Sequence, residues 1–204
     1  MQFDVVMLIN MLGLMAFAFV GAMKAIREQM DLLGILVLGI VTAFGGGIIR
    51  DVIINKIPYA FSAVFDVSVA TLGVLAAGLI YKALEKDLSG SYYILMLDAL
   101  GLAAFTATGA LTAYNAGVTG FGLVFLAAVT AVGGGAVGDL LLGRVPSILK
   151  DDCYATCSLV GGAVFYFAAL LGADMVKSSL LCSAVTLLIR TLAIHGRWNL
   201  PKLA

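Results

Sequence analysis

Gly45-Gly46-Gly47-Ile48-Ile49-Arg50-Asp51 recurs as Gly133-Gly134-Gly135-Ala136-Val137-Gly138-Asp139 in a chain of 204 residues. From 45 to 133, and from 51 to 139, the offset is the same 88 residues. The offset holds outside the glycines as well: Gly21 matches Gly109, Gly34 matches Gly122, Lys56 matches Arg144, Pro58 matches Pro146 and Gly73 matches Gly161. A fixed offset kept over most of a chain marks an internal duplication.

Both copies lie in apolar surroundings. The chain is 62% hydrophobic and 12% charged, with a mean hydropathy of +1.10, where soluble domains average roughly 45–50% apolar and about 25% charged residues. A helix crosses a hydrocarbon core of about 30 Å with about 20 apolar residues. Apolar runs near 4–24, 31–55, 62–82, 92–114, 119–143, 152–172 and 175–194 predict seven transmembrane helices in a single membrane domain, with no soluble domain between them. The opening Met1-Gln2-Phe3-Asp4 lacks the basic region of a signal peptide, so the first run is expected to be a mature helix.

Repeat 1 spans about 4–84 and repeat 2 about 92–172, with a seventh helix, about 175–194, outside the duplication. Three helices per repeat is an odd number, so the second repeat is expected to cross the membrane in the opposite sense to the first. Such inverted repeats bring matched broken helices together near the midplane. Lysine and arginine are retained on the cytoplasmic side. With the N-terminus outside, Lys24, Arg27, Lys82, Lys86, Arg144, Lys150, Arg190, Arg197 and Lys202 fall inside, and Lys56 and Lys177 outside. The C-terminus is then cytoplasmic. His195, Arg190, Arg197 and Lys202 read as a basic tail facing anionic lipid, and Tyr59, Tyr81, Tyr92, Tyr93 and Trp198 as anchors at the membrane surface.

Glycine costs about 1 kcal/mol relative to alanine inside a helix, so each triplet is expected to loosen or kink the second and fifth helices. A kink would free backbone carbonyls able to replace part of a cation's hydration shell. The alternative is that the glycines serve close helix packing. Asp51 lies four residues after Gly47, and Asp139 four after Gly135, so each acid shares a helix face with a glycine. Charges deep in a span usually pair or line water, which makes Arg50, Asp51, Asp98 and Asp139 candidates. Asn10 joins them as the offset match of Asp98, and this pair reads either as an interhelical hydrogen bond or as a pore element. Arg50 either neutralises Asp51 or plugs the pathway. Lys56 and Arg144 read as snorkelling bases or lipid-phosphate contacts.

Net charge is zero, and nucleic acid is not an expected partner. Cys153, Cys157 and Cys182 lack metal-site spacing and read as packing thiols. The glycine runs lack the Lys-Ser/Thr of a nucleotide-binding loop, and no nucleophile-base pair stands out, so an enzyme is not expected.

Duplicated Gly-Gly-Gly-x-x-x-Asp motifs followed by Lys56-x-Pro58 and Arg144-x-Pro146 resemble the trimeric intracellular cation channel family, in its prokaryotic branch, some members of which carry a glycine transporter label. The resemblance runs from about Asp4 to Arg197. It implies a homotrimer in a prokaryotic inner membrane, with one pore per protomer. Each pore would be lined by kinked second and fifth helices at Gly45, Gly46, Gly47, Gly133, Gly134 and Gly135. It further implies conduction of monovalent cations with potassium as the main ion, potassium or sodium ions and membrane lipid as partners, and a gate role for Arg50; no cofactor is expected. A secondary transporter for a small zwitterion such as glycine, and a non-conducting scaffold, are the competing readings.

Overall fold

In a computed structural model the described residues are 5–84, 92–150, 153–196 and 198. They form eight α-helices: α1 (Val5–Arg27), α2 (Leu32–Ile53), α3 (Val64–Leu84), α4 (Tyr92–Asn115), α5 (Gly120–Leu141), the single turn α6 (Ser147–Lys150), α7 (Ala155–Leu170) and α8 (Met175–Gly196). Six of them, all but α6 and α7, are long and apolar enough to cross a membrane. The seventh expected span, 152–172, holds the 16-residue α7. At 1.5 Å per residue that helix is about 24 Å long. Expectations that rested on Met1 to Asp4, Lys86, Arg197 and Lys202 lie outside the described residues.

Local sequence sets the helix ends, and it does so at matched positions. Asp31 caps α2 by accepting from the Gly34 amide at 2.7 Å, and Thr119 caps α5 by accepting from the Gly122 amide at 3.2 Å. Asn55 and Gly143 both take left-handed backbone, with φ of 56° and 65°. The Lys56 amide then bonds the Asp51 carbonyl and the Arg144 amide the Asp139 carbonyl, at 2.8 and 2.9 Å. This is the helix stop in which a left-handed residue lets the chain fold back on the last carbonyls.

Within the first half α1 packs on α2 and α3; within the second α4 packs on α5 and α7. The halves join where α2 crosses α5 and where α1 meets α4, and α8 covers α4 and α7. Small residues permit this. Gly101 makes room for the Phe17 ring, and its match Gly13 makes room for the Phe105 ring, itself the match of Phe17. The two rings meet edge to face at 5.2 Å in the middle of the core. Large side chains such as Leu12, Leu36, Leu72, Phe125 and Leu188 point outward, as expected for a surface solvated by lipid.

The glycine triplets do not break their helices. Both α2 and α5 remain α-helical throughout, with no break in the helix at either triplet. The glycines instead bring the two helices into backbone contact. A Cβ on Gly46 would run into the Thr130 carbonyl oxygen, and one on Gly134 into the Thr42 carbonyl oxygen, again a matched pair. Gly45 and Gly133 face the same crossing, where an added Cβ would lie 3.1 Å from the Cα of Gly134 and 3.0 Å from that of Gly46.

Candidate functional site: two cavities back to back

The third glycine of each triplet does something different. A Cβ on Gly135 would meet nothing within 4 Å, and one on Gly47 only the tip of Arg50 at 3.8 Å. Each lines a cavity. Gly135 borders a cavity of about 180 Å³, and Gly47 one of about 40 Å³ that shares Asn10, Arg50, Asp51, Tyr59 and Asp66 with a wider vestibule of about 610 Å³. The walls correspond at the 88-residue offset: Phe105, Thr130, Gly47, Asp51 and Asn10 of the smaller cavity match Phe17, Thr42, Gly135, Asp139 and Asp98 of the larger. The cavities meet back to back at the Phe17–Phe105 contact and the glycine crossing.

Each acid is held twice. Asp51 accepts the amide of Tyr59 at 2.9 Å, and Asp139 the amide of Ser147 at 2.8 Å, eight residues on in both cases. Each carboxylate thereby ties the segment leaving its helix back to the helix end. Each also meets a base, although not the same one. Arg50 reaches Asp51 Oδ1 through Nε at 2.8 Å and Nη2 at 2.6 Å, inside the core. Position 138 is glycine, so Asp139 takes its partner from the other half: Lys24 of α1 approaches Oδ1 at 2.7 Å. The Ser147 hydroxyl adds a bond to Asp139 Oδ2 at 3.0 Å.

Asn10 and Asp98 do not bond each other. Asn10 donates to Asp66 of α3 at 2.8 Å, and Asp98 accepts from the Tyr154 hydroxyl at 3.1 Å. Asp66 and Tyr154 are themselves an offset pair, so one interhelical link recurs with altered chemistry. Lys56 lines the wide vestibule, and Arg144 pairs with Glu28 at the protein surface.

Lys24, Asp66, Tyr154 and Arg190 escaped the reading of the sequence as site residues. Asp66 carried a signal, being an acid inside an apolar run. Arg190 is corrected outright: it is not part of an exposed tail but is buried, with its guanidinium 4.7 Å above the centre of the Tyr154 ring. The helical period could have placed it, because Ser179, Cys182, Thr186 and Arg190 fall on one buried face of α8. His195, in contrast, is exposed and touches the Tyr92 hydroxyl. All three cysteines are free thiols.

A family model described as Glycine transporter matches this chain twice, over residues 7–82 and 95–169. Its two starts are again 88 residues apart. Among solved structures, a chain from work described as the structural basis for conductance through TRIC cation channels superposes with a TM-score of 0.90 at 36% identity, covering 98% of both chains. The chain belongs to the TRIC family. A TRIC trimeric intracellular cation channel orthologue from Rhodobacter sphaeroides gives a TM-score of 0.84 at 33% identity over 95% of this chain and 99% of that one. The UPF0126 inner membrane protein YadS of Escherichia coli (strain K12) is 34% identical over 198 residues, 96% of this chain and 95% of its own length. These solved TRIC relatives are channels, not enzymes.

Proposed function

We propose that this protein is a monovalent cation channel, with potassium its main ion and one pore per protomer running between two inverted repeats. The observation that carries the reading is the pair of offset-related cavities meeting at the α2–α5 crossing. A pathway along them passes Asn10, Asp51 and Arg50 on one side, Gly47 and Gly135 at the crossing, and Asp139 and Asp98 on the other. Here it is closed by the Phe17–Phe105 contact and by the bases on both acids. Opening requires the rings to part and the carboxylates to be exposed to a partly dehydrated ion. In this reading α7, extended by the Cys153–Tyr154 turn, is the seventh crossing. The N-terminus is outside and the C-terminus cytoplasmic, three protomers assemble as in the relative named trimeric, and Lys56 contacts lipid headgroups.

The test is single-channel recording of the purified protein in planar bilayers under asymmetric KCl, comparing wild type with Asp51→Asn, Asp139→Asn and Arg50→Ala. Discrete cation-selective steps that shrink or lose selectivity in the Asp variants are expected. A silent bilayer together with saturable glycine uptake into liposomes of the same preparation would replace the channel by a carrier.

A further inference from the structure

We propose that Asp66, on α3, is the charged ligand of a monovalent metal-cation site in the smaller cavity. The two cavities repeat each other's walls but not each other's charge. In the larger, Lys24 and Arg190 face Asp98 and Asp139, two bases to two acids. The smaller is lined by Asp51 and Asp66, and its one base is Arg50. Two exchanges within the repeat and one addition outside it make this difference. Where the larger cavity has Asp98 and Tyr154, the smaller has Asn10 and Asp66, and α8 supplies Arg190 to the larger alone.

Arg50 is committed to the other acid. Its Nε and Nη2 both donate to Asp51 Oδ1, and Asp51 Oδ2 takes the Tyr59 amide. No ion pair reaches Asp66 among the described residues. Lys56 borders the wide vestibule but not the smaller cavity, and it is exposed, so water and salt screen its charge. Asp66 itself is only 3% exposed, yet it borders both spaces. Asn10 donates to its Oδ2 at 2.8 Å. Its Oδ1 takes no hydrogen bond among the described residues and, unlike Arg190 Nε, is not one of the polar atoms shut in by protein, so it opens on the cavity. A buried carboxylate without a base is costly in a membrane bundle and marks an ion position. Asn10, having turned its amide nitrogen to Asp66, keeps its amide oxygen as a neutral ligand beside the charge. One uncommitted carboxylate with neutral oxygens suits an alkali-metal ion, whereas calcium takes six to eight oxygens, with several carboxylates among them. The cavity of about 40 Å³ exceeds the roughly 10–15 Å³ that one water needs, so it admits an ion that keeps part of its hydration. The binding stands apart from the channel reading; its effect on current rests on it.

Crystals of the full-length protein soaked in thallium(I) acetate, in which Tl⁺ replaces K⁺ with a strong anomalous signal, test the binding directly. A peak in contact with the Asp66 carboxylate is expected, weakened by excess potassium acetate and absent in Asp66→Asn. No peak in wild type, or a peak retained in Asp66→Asn, overturns the site. If Asp66→Asn does not fold, a wild-type peak that potassium fails to displace overturns it equally. A peak displaced by glycine and not by potassium gives the carboxylate to an ammonium group and overturns the metal ion. In bilayers, the potassium concentration that half-saturates the current should rise about tenfold in Asp66→Asn, the effect of losing one unit charge at contact distance in a partly wet site. A thallium peak with silent bilayers keeps the site and sinks the channel reading. A peak with half-saturation unchanged in Asp66→Asn overturns the part of the site in conduction.

Discussion

The two ends of the α2–α5 pair carry the same acid in the same backbone setting, and they neutralise it by different routes. Asp51 is served by its sequence neighbour Arg50; Asp139 is served by Lys24, 115 residues away in the other half. The grip of each carboxylate on the amide eight residues later is unchanged between the copies. The comparison separates two jobs of one residue. Anchoring the chain after the helix is common to both acids, whereas the choice of base is where the cavities diverge, and α8 widens the divergence by adding Arg190 to one of them only.

The largest expected effect breaks the crossing that both cavities share. Gly46→Ala or Gly134→Ala places a methyl against a carbonyl oxygen of the facing helix and should cost about 3 kcal/mol or more, read as thermal unfolding in detergent. Gly135→Ala, which meets open space, should change stability by no more than about 1 kcal/mol, in the stabilising direction that helix propensity gives. Equal losses at positions 134 and 135 would erase the division of labour within the triplet.

Next in size are the bases. Lys24→Met leaves the buried Asp139 carboxylate without its cation, and a loss of about 3 kcal/mol is expected. Lys24→Met combined with Asp139→Asn should recover more than half of it, with the Ser147 bonds retained by the amide oxygen. Arg50→Met should behave alike against Asp51, and a double variant with Asp51→Asn should recover likewise; thermal melts of the four variants decide. If Arg50→Met proves harmless while Lys24→Met does not, the two ends are not equivalent in energy.

Smaller still is the link between Asn10 and Asp66 and its counterpart between Asp98 and Tyr154. Asn10→Leu and Tyr154→Phe each remove one hydrogen bond to a carboxyl group, worth about 1.5–3 kcal/mol when the group is charged. Tyr154→Phe keeps the ring beneath Arg190, so its loss in a thermal melt should be the smaller of the two. The smallest effect is at the exposed pair: Arg144→Gln or Glu28→Gln should change stability by less than about 0.5 kcal/mol.

Much of this was readable in the chain. The 88-residue offset pairs helix caps, left-handed turns, ring-and-glycine contacts and cavity walls, and six long spans fall within a few residues of their apolar runs. The divergent parts were not readable from that rule, for a physical reason. An offset compares a residue with its match, and the match of Arg50 is Gly138, which says nothing about Lys24 reaching Asp139 from another helix. Arg190 has no match at all, and its position near the end of a run made it read as a tail charge. Likewise the triplet gives three identical letters, while helical rotation turns two of them toward the facing backbone and the third toward a cavity.

The distance between Lys24 and Asp139 along the chain also sets an order of events during synthesis. Arg50 and Asp51 emerge from the ribosome together and enter the membrane already able to neutralise each other. Lys24 precedes its partner by 115 residues, and at about 5–20 residues per second the acid follows on the order of ten seconds later. For that interval Lys24 stands at the end of α1 without the carboxylate it meets in the folded protein, so this ion pair closes only after the second half has been made.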